Sequence, residues 1–281
     1  METDPQTSNR RPLLRVLGLR KQYFRQRSLL HRRNPVCAVD GVDFEISAGK
    51  TLALVGNSGS GKSTVARCVT RLETPDAGEI WIGEREISHL RSCQLRSLRT
   101  EIQMIFQDPA TSINPRFCAA QVIQEPLRIQ KHADREYRRQ RAEELMNEVG
   151  LSPAWAERRA LDFSGGQRQR LAIARALALQ PKILVLDEAL SALDLAIQTQ
   201  ILNLLLDLQA SRSLAYLFIS HDLTLVARVA DSIAVMSAGK IVEQGLTSAI
   251  LSHPNHPQTQ RLLASGHLSL SNFAAAAGAT S

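Results

Sequence analysis

Thr51-Leu52-Ala53-Leu54-Val55-Gly56-Asn57-Ser58-Gly59-Ser60-Gly61-Lys62-Ser63-Thr64-Val65-Ala66-Arg67 is an apolar run that ends in a glycine-rich loop and continues as a helix from Ser63. Gly56-x-x-x-x-Gly61-Lys62-Ser63 satisfies the P-loop pattern without mismatch, in the strand, loop and helix context that the pattern requires. Glycines let the backbone turn its N–H groups toward phosphates, and a helix opening near Lys62 presents its positive dipole end. Lys62 is then expected to reach the β- and γ-phosphates of a nucleotide, with Ser63 as a magnesium ligand. The whole loop, Gly56, Asn57, Ser58, Gly59, Ser60, Gly61, Lys62, Ser63 and Thr64, becomes the expected nucleotide cradle.

Working outward, a second apolar run, Ile183-Leu184-Val185-Leu186, delivers Asp187-Glu188 to its end. Such a run suits a central parallel strand covered on both faces. Alone the acidic pair reads as an ordinary strand-end turn. Downstream of a matched P-loop it reads as a magnesium ligand, Asp187, beside a carboxylate, Glu188, that polarises the attacking water. Between the two strands stands Phe163-Ser164-Gly165-Gly166-Gln167. Its Gly-Gly pair before a helix is a second anion-binding helix end, and it points to a nucleotide clamped between two such domains.

Gln107 follows the strand-like Ile102 to Phe106 and precedes Pro109. It is either a polar loop residue or an amide that touches both magnesium and a moving segment. His221 ends the apolar Phe218-Ile219. It is either structural or a contact to the γ-phosphate or to Glu188. Tyr23 and Phe24 each read either as core or as a ring available to stack on adenine, with Tyr23 preferred for the stacking.

The remaining pattern makes the fold α/β. Leu13 to Leu19 and Val42 to Ile46 alternate as half-buried strands and suggest an antiparallel sheet edge. From about 110 to 180 the pattern is helical, including Arg135 to Val149 with Ala142, Leu145, Met146 and Val149 on one face, as in a helical subdomain inserted into a mixed sheet. A helix near Asp194 to Ala210 and strands at Leu214 to Ile219, Ile233 to Met236 and Lys240 to Glu243 follow. Residues 1–12 and 266–281 are expected to be disordered or frayed.

Of the 281 residues 44% are hydrophobic, enough for a globular core. No apolar run approaches the roughly 20 residues of a membrane-spanning helix, and Met1-Glu2-Thr3-Asp4-Pro5 lacks a basic-then-apolar leader. A cytoplasmic chain held at a membrane only by a partner is expected. Cys37, Cys68, Cys93 and Cys118 form no Cys-x-x-Cys pair and read as reduced thiols. The net charge of +7 admits a nucleic-acid or membrane-surface partner. Much of the excess, however, lies between Arg10 and Arg33 (Arg20-Lys21, Arg25, Arg27, Arg32-Arg33), which reads as a solvated loop. With 4% aromatic residues there are few rings for base stacking, so no nucleic-acid partner is expected.

Together these residues resemble the ATPase subunit of ABC transporters: Walker A at 56–64, Q-loop Gln107, signature Ser164-Gly165-Gly166-Gln167, Walker B at 183–187, D-loop Ser191-Ala192-Leu193-Asp194 and switch His221. The resemblance implies ATP and Mg2+ as cofactors and a P-loop ATPase domain over residues 13–265. It also implies a second ABC ATPase subunit, identical or a sister chain. The Ser164 to Gly166 region of one protomer then caps the γ-phosphate held by Lys62 of the other. Ala38-Val39-Asp40-Gly41-Val42, Ser112-Ile113-Asn114-Pro115-Arg116, Phe163 before the signature serine and His253-Pro254-Asn255-His256-Pro257 are similar to the peptide/nickel importer branch. Asp187-Glu188-Ala189-Leu190 departs from the commoner Asp-Glu-Pro, and Gln258 stands where the branch commonly has tyrosine; both carboxylates remain.

That branch implies an energy-coupling subunit for import of peptides, nickel or metal chelates, on the cytoplasmic face of the inner membrane. Its partners would be integral permease subunits, contacted near Gln107 to Pro115, and through the complex a periplasmic or extracellular solute-binding protein. The alternatives are a soluble ABC ATPase acting on ribosomes or DNA, and an exporter ATPase.

Overall fold

The structure, a computed structural model, describes residues 11–24, 35–91 and 94–265. The tail from Gly266, residues 1–10, Cys93 and the basic positions Arg10, Arg25, Arg27, Arg32 and Arg33 lie outside the described residues.

The described chain opens with strands β1 (Leu14–Phe24), β2 (Pro35–Ile46) and β3 (Thr51–Val55), then helix α1 (Lys62–Val69). Strands β4 (Ala77–Ile82) and β5 (Arg85–Glu86), helix α2 (Leu95–Glu101) and strand β6 (Ile102–Ile105) follow. The next described elements are all helical: α3 (Pro109–Ser112), α4 (Ala119–Ile129), α5 (Arg135–Glu148), single 3-10 turns at Pro153–Trp155 and Ala160–Asp162, and α6 (Gly165–Leu177). Then come β7 (Ile183–Asp187), α7 (Leu195–Arg212), β8 (Ala215–Ile219), α8 (Leu223–Val229), β9 (Ser232–Ser237), β10 (Lys240–Leu246), α9 (Thr247–Ser252) and α10 (Pro257–Ser265).

The strands make two sheets, a six-stranded one ordered β10-β9-β3-β8-β7-β6 and a four-stranded one ordered β2-β1-β4-β5. In the first, β9, β3, β8, β7 and β6 run parallel and β10 returns antiparallel on β9. The antiparallel strands that open the chain form a sheet of their own rather than extending this one.

Strand periodicity divides the core. Leu52, Leu54, Ile183, Val185, Leu217 and Ile219 face α1 and the antiparallel sheet. Ala53, Val55, Leu184, Leu186, Tyr216 and Phe218 face the other way and share a cluster with Val122, Ile123, Leu145, Met146, Phe163 and Leu171 of the helical stretch. Successive side chains of a strand point to opposite faces, so β7 is apolar from Ile183 to Leu186 because both its faces are covered. Each side chain removed from water in this way contributes about 1.5–3 kcal/mol.

The helix starts are written into the sequence. Asp134, Ser164, Asp194 and Asp222 cap α5, α6, α7 and α8, each side chain accepting from a backbone N–H of the first turn. Arg212 at the end of α7 donates from Nε and a terminal nitrogen to both oxygens of Glu148 at the end of α5, at 2.7 and 2.6 Å, fixing the helical stretch to the main sheet's covering helix.

Candidate nucleotide site

Strand β3 ends at the loop, and the loop is closely packed from behind. A Cβ on Gly56 (φ +150°) would lie 2.2 Å from the backbone oxygen of Met236, and one on Gly61 (φ +107°) 2.2 Å from that of Ala38. No other residue fits either position, by space or by dihedral angle. The β9–β10 turn braces the loop: Gly239 N–H donates to Ser60 O at 3.0 Å, and Asp40 N–H to Gly239 O at 2.8 Å. Asn57, Ser58 and Gly59 form the exposed rim.

Lys62 lies beneath this rim, 5% exposed. Its Nζ donates to the carbonyls of Gly56 (2.8 Å) and Asn57 (2.9 Å). Burial pushes its pKa down, against the opposing pull of Glu188 and Asp187. An ammonium held in a desolvated loop by two carbonyls is a charge ready to pair with an oxyanion. Ser63 Oγ donates to Asp187 Oδ1 at 3.0 Å. Burial raises the Asp187 pKa, with the Ser63 hydrogen bond opposing. This hydroxyl and carboxylate are hard oxygen donors of the kind Mg2+ takes one or two of, leaving its other positions to water and phosphate. With the Lys62 ammonium beside them, the residues present therefore fit a magnesium nucleotide.

Glu188 follows the last residue of β7 in the left-handed region, φ +49°, a conformation that costs a non-glycine residue about 1–3 kcal/mol. Its N–H donates to Ile219 O at 3.0 Å, which fixes the turn. Its Oε2 lies 3.7 Å from Nδ1 of His221 at the end of β8. These two line a small cavity with Ser191, Gln198 and Ser220. Gln107 Nε2 donates to Ser191 Oγ at 3.4 Å, and Ser191 Oγ donates to Glu188 O at 2.9 Å. Five residues from three strand ends, Asp187, Glu188, Ser191, His221 and Gln107, thus gather beside the loop. Ala189 and Leu190 are buried, so the departure from Asp-Glu-Pro supplies core apolar groups.

Neither Tyr23 nor Phe24 is core; they are 37% and 62% exposed. Tyr23 is the one tied to the site. Its hydroxyl donates to Glu73 and also meets the Thr64 side chain, and burial with the Glu73 carboxylate pushes its pKa up.

Ser164 begins α6 in a reciprocal capping box: Gln167 N–H donates to Ser164 Oγ at 3.3 Å, and Ser164 N–H to Gln167 Oε1 at 3.0 Å. Gly165 faces Leu193, and a Cβ on Gly166 would lie 2.6 Å from Cγ2 of Ile197. The phenylalanine before the serine is buried, with Trp155 edge-on at 6.1 Å and the Arg158 guanidinium 4.9 Å from its ring centre. Sequence reasoning named Gly166 and Phe163 but not Ile197, Trp155 or Arg158, which hold them; Ile197 comes from a segment distant in sequence, and Trp155 and Arg158 come from the turn just before Phe163. Ser191 was quoted only within its motif, and its link between Gln107 and Glu188 is visible only in three dimensions.

A family model described as ABC transporter matches residues 39–191. The di/tripeptide transport ATP-binding protein DppF of Pseudomonas aeruginosa is 46% identical over 251 residues, 89% of this chain and 78% of that protein. The glutathione import ATP-binding protein GsiA of Escherichia coli O6:H1 is 48% identical over 254 residues, 90% of this chain but 41% of that protein. Among solved structures, a dimeric post-hydrolysis state of the ATP-binding cassette MJ0796 bound to ADP and Pi has a TM-score of 0.73 and 27% identity, covering 83% of this chain and 98% of that one. The chain belongs to the ABC transporter family, as an ATP-binding cassette that hydrolyses ATP.

Proposed function

We propose that the chain is the energy-coupling subunit of a peptide importer, held at the cytoplasmic face of the membrane by permease subunits. The observation that carries the import reading is the likeness over nine-tenths of the chain to proteins named for di/tripeptide transport and glutathione import. Among the described residues no helix is long and apolar enough to cross a membrane, so in this reading the membrane path is supplied by partners.

In the proposed mechanism Lys62 leaves the carbonyls of Gly56 and Asn57 for the β- and γ-phosphates, while loop N–H groups of residues 56–64 donate to the remaining phosphate oxygens. Ser63 and Asp187 would hold Mg2+, with Gln107 beside them, and the bound ion would supply neutralisation of the phosphate charge. Glu188 takes the proton of the attacking water, and His221 orients that carboxylate and meets the γ-phosphate. The Tyr23 ring stacks on adenine. A second cassette, identical or a sister chain, offers Ser164, Gly165, Gly166 and Gln167 to the nucleotide in trans, so isolated chains hydrolyse ATP slowly.

The helical stretch, residues of about 110–180 within a cassette spanning 13–265, passes closure to the permease. A groove of about 360 Å3 lies between it and the main sheet, lined by Phe106, Glu125, Pro126, Ile129, Gln130 and Arg175. Arg175 of α6 also donates to the carbonyl and hydroxyl of Ser112, linking the Gln107 to Pro115 segment to the signature helix. The test is to recover a tagged chain from membranes and to measure uptake of a labelled dipeptide with and without it. Integral membrane subunits in the eluate and chain-dependent uptake are expected. Recovery with ribosomes, or loss of nickel uptake with dipeptide uptake intact, would overturn the peptide-importer reading.

A further inference from the structure

A second cavity, of about 730 Å3, opens on the other side of α4. Gln121, Gln124 and Arg128, at helical spacing along one stripe of α4, form one wall. Arg135, Arg138 and Arg139, in the first turns of α5, form another, and the Pro153 to Glu157 segment closes it. Four guanidinium groups face the two carboxylates of Glu143 and Glu157, a net charge of +2.

These arginines are poorly neutralised. Arg139 pairs with Glu143 at 3.2 Å, and Glu157 receives the Cys118 thiol at 3.7 Å. The side chains of Arg128 and Arg135 make no hydrogen bond or ion pair among the described residues. Arg138 donates to Ala133 O at 2.6 Å, but its Nε is buried without a partner. The α5 start is already served by the Asp134 cap and by Glu136, so these arginines are available to the cavity. An unpaired buried donor and a concave net-positive wall are both relieved by one bound oxyanion.

We propose that this cavity binds a small phosphate-bearing anion, from a soluble metabolite or from an anionic lipid headgroup. Guanidinium forks recognise phosphate oxygens bidentately, and the volume lies in the range of small-ligand sites. The occupant would touch the face of α4 opposite Glu125, Pro126, Ile129 and Gln130, which line the other groove; the site itself stands independently of what that groove receives.

The experiment uses the full chain with its P-loop saturated by MgADP and titrates inorganic pyrophosphate by calorimetry. In parallel it measures binding to vesicles of phosphatidylglycerol or of phosphatidylcholine. Saturable binding of pyrophosphate, or binding to the phosphatidylglycerol vesicles alone, is expected, the first marking a soluble ligand and the second a lipid headgroup. The Arg128→Gln/Arg135→Gln variant should weaken whichever binding is seen about tenfold or more, as removal of two charge-assisted forks implies, with MgADP affinity unchanged as evidence of folding. Arg128→Lys/Arg135→Lys should retain part of it. Binding equal in parent and Gln variant, or no binding of either probe, would overturn the proposal.

Discussion

Replacing Gly166 by alanine separates the nucleotide cradle from the element proposed to close it. The added Cβ would stand 2.6 Å from Ile197 Cγ2, and ordinary contact begins at 3.4 Å, so α6 and α7 must part there by about 0.8 Å. Ile197 is β-branched and follows the Asp194 cap of α7 within the first turn, so it has little freedom to yield. Overpacking of this kind costs about 1–3 kcal/mol, and exchanging a helical glycine for alanine returns about 0.5–1 kcal/mol. The expected net loss of stability is roughly 0–2.5 kcal/mol, read by chemical denaturation. A misplacement near 1 Å costs catalysis on the order of a hundredfold, so hydrolysis by the assembled transporter should fall about that far. ATP affinity of the isolated chain should not change, because the cradle at residues 56–64 is built from other contacts. Gly166→Ala/Ile197→Ala removes the methyl that collides and should recover most of the activity. Parental hydrolysis in Gly166→Ala, or loss of ATP binding in the isolated chain, would refute the reasoning.

Lys62→Ala should weaken nucleotide binding and hydrolysis together, since its ammonium serves ground state and transition state alike; titration and turnover measured on one preparation check this. Asp187→Asn tests the buried carboxylate. Its folded pKa is raised above the ordinary value of 3.8 by burial, so the nucleotide-free fold binds that proton more tightly than the unfolded chain does. Stability from this group therefore falls as pH rises from about 3.8 through the raised value and stays low at neutrality. Asp187→Asn should raise the Tm of the nucleotide-free chain at pH 7, by about 2–4 °C for each kcal/mol relieved, while abolishing hydrolysis; a lowered Tm would contradict it. Arg116→Glu, on the exposed segment after α3, should reduce recovery of the permease subunits with the tagged chain, and undiminished recovery would place the contact elsewhere.

Much of the fold was legible because local signals agreed with tertiary demands. The apolar runs at Thr51 to Val55 and Ile183 to Leu186 both gave strands, and Asp194 placed the start of α7 to within a residue. Strands β4 and β5 and helices α2, α8, α9 and α10 were not singled out. In β4, Ala77-Gly78-Glu79 hides the alternation that begins only at Ile80, and α2, α8 and α9 are too short for a helical period to stand out. The site was legible wherever one residue type is forced by chemistry or space: Lys62, the glycines at 56 and 61, Asp187. What could not be read was the company those residues keep. The oxygens of Met236 and Ala38 that exclude a side chain at Gly56 and Gly61, and the Ser191 hydroxyl between Gln107 and Glu188, arrive from remote segments. So does Ile197 beneath Gly166. Tyr23 illustrates the limit of a pattern. Its ring reads as one of two, core or adenine platform, and only the bonds of its hydroxyl to Glu73 and Thr64 tie it to the loop.

The central assignment is that Glu188, held in its left-handed turn beside His221, removes the proton of the attacking water. ATP binding and steady-state hydrolysis of Glu188→Gln, measured in the transporter assembled with its permease subunits, test it most directly. Unchanged ATP affinity with hydrolysis slowed at least about a hundredfold is predicted, the scale for losing a positioned general base, and near-parental turnover would contradict it.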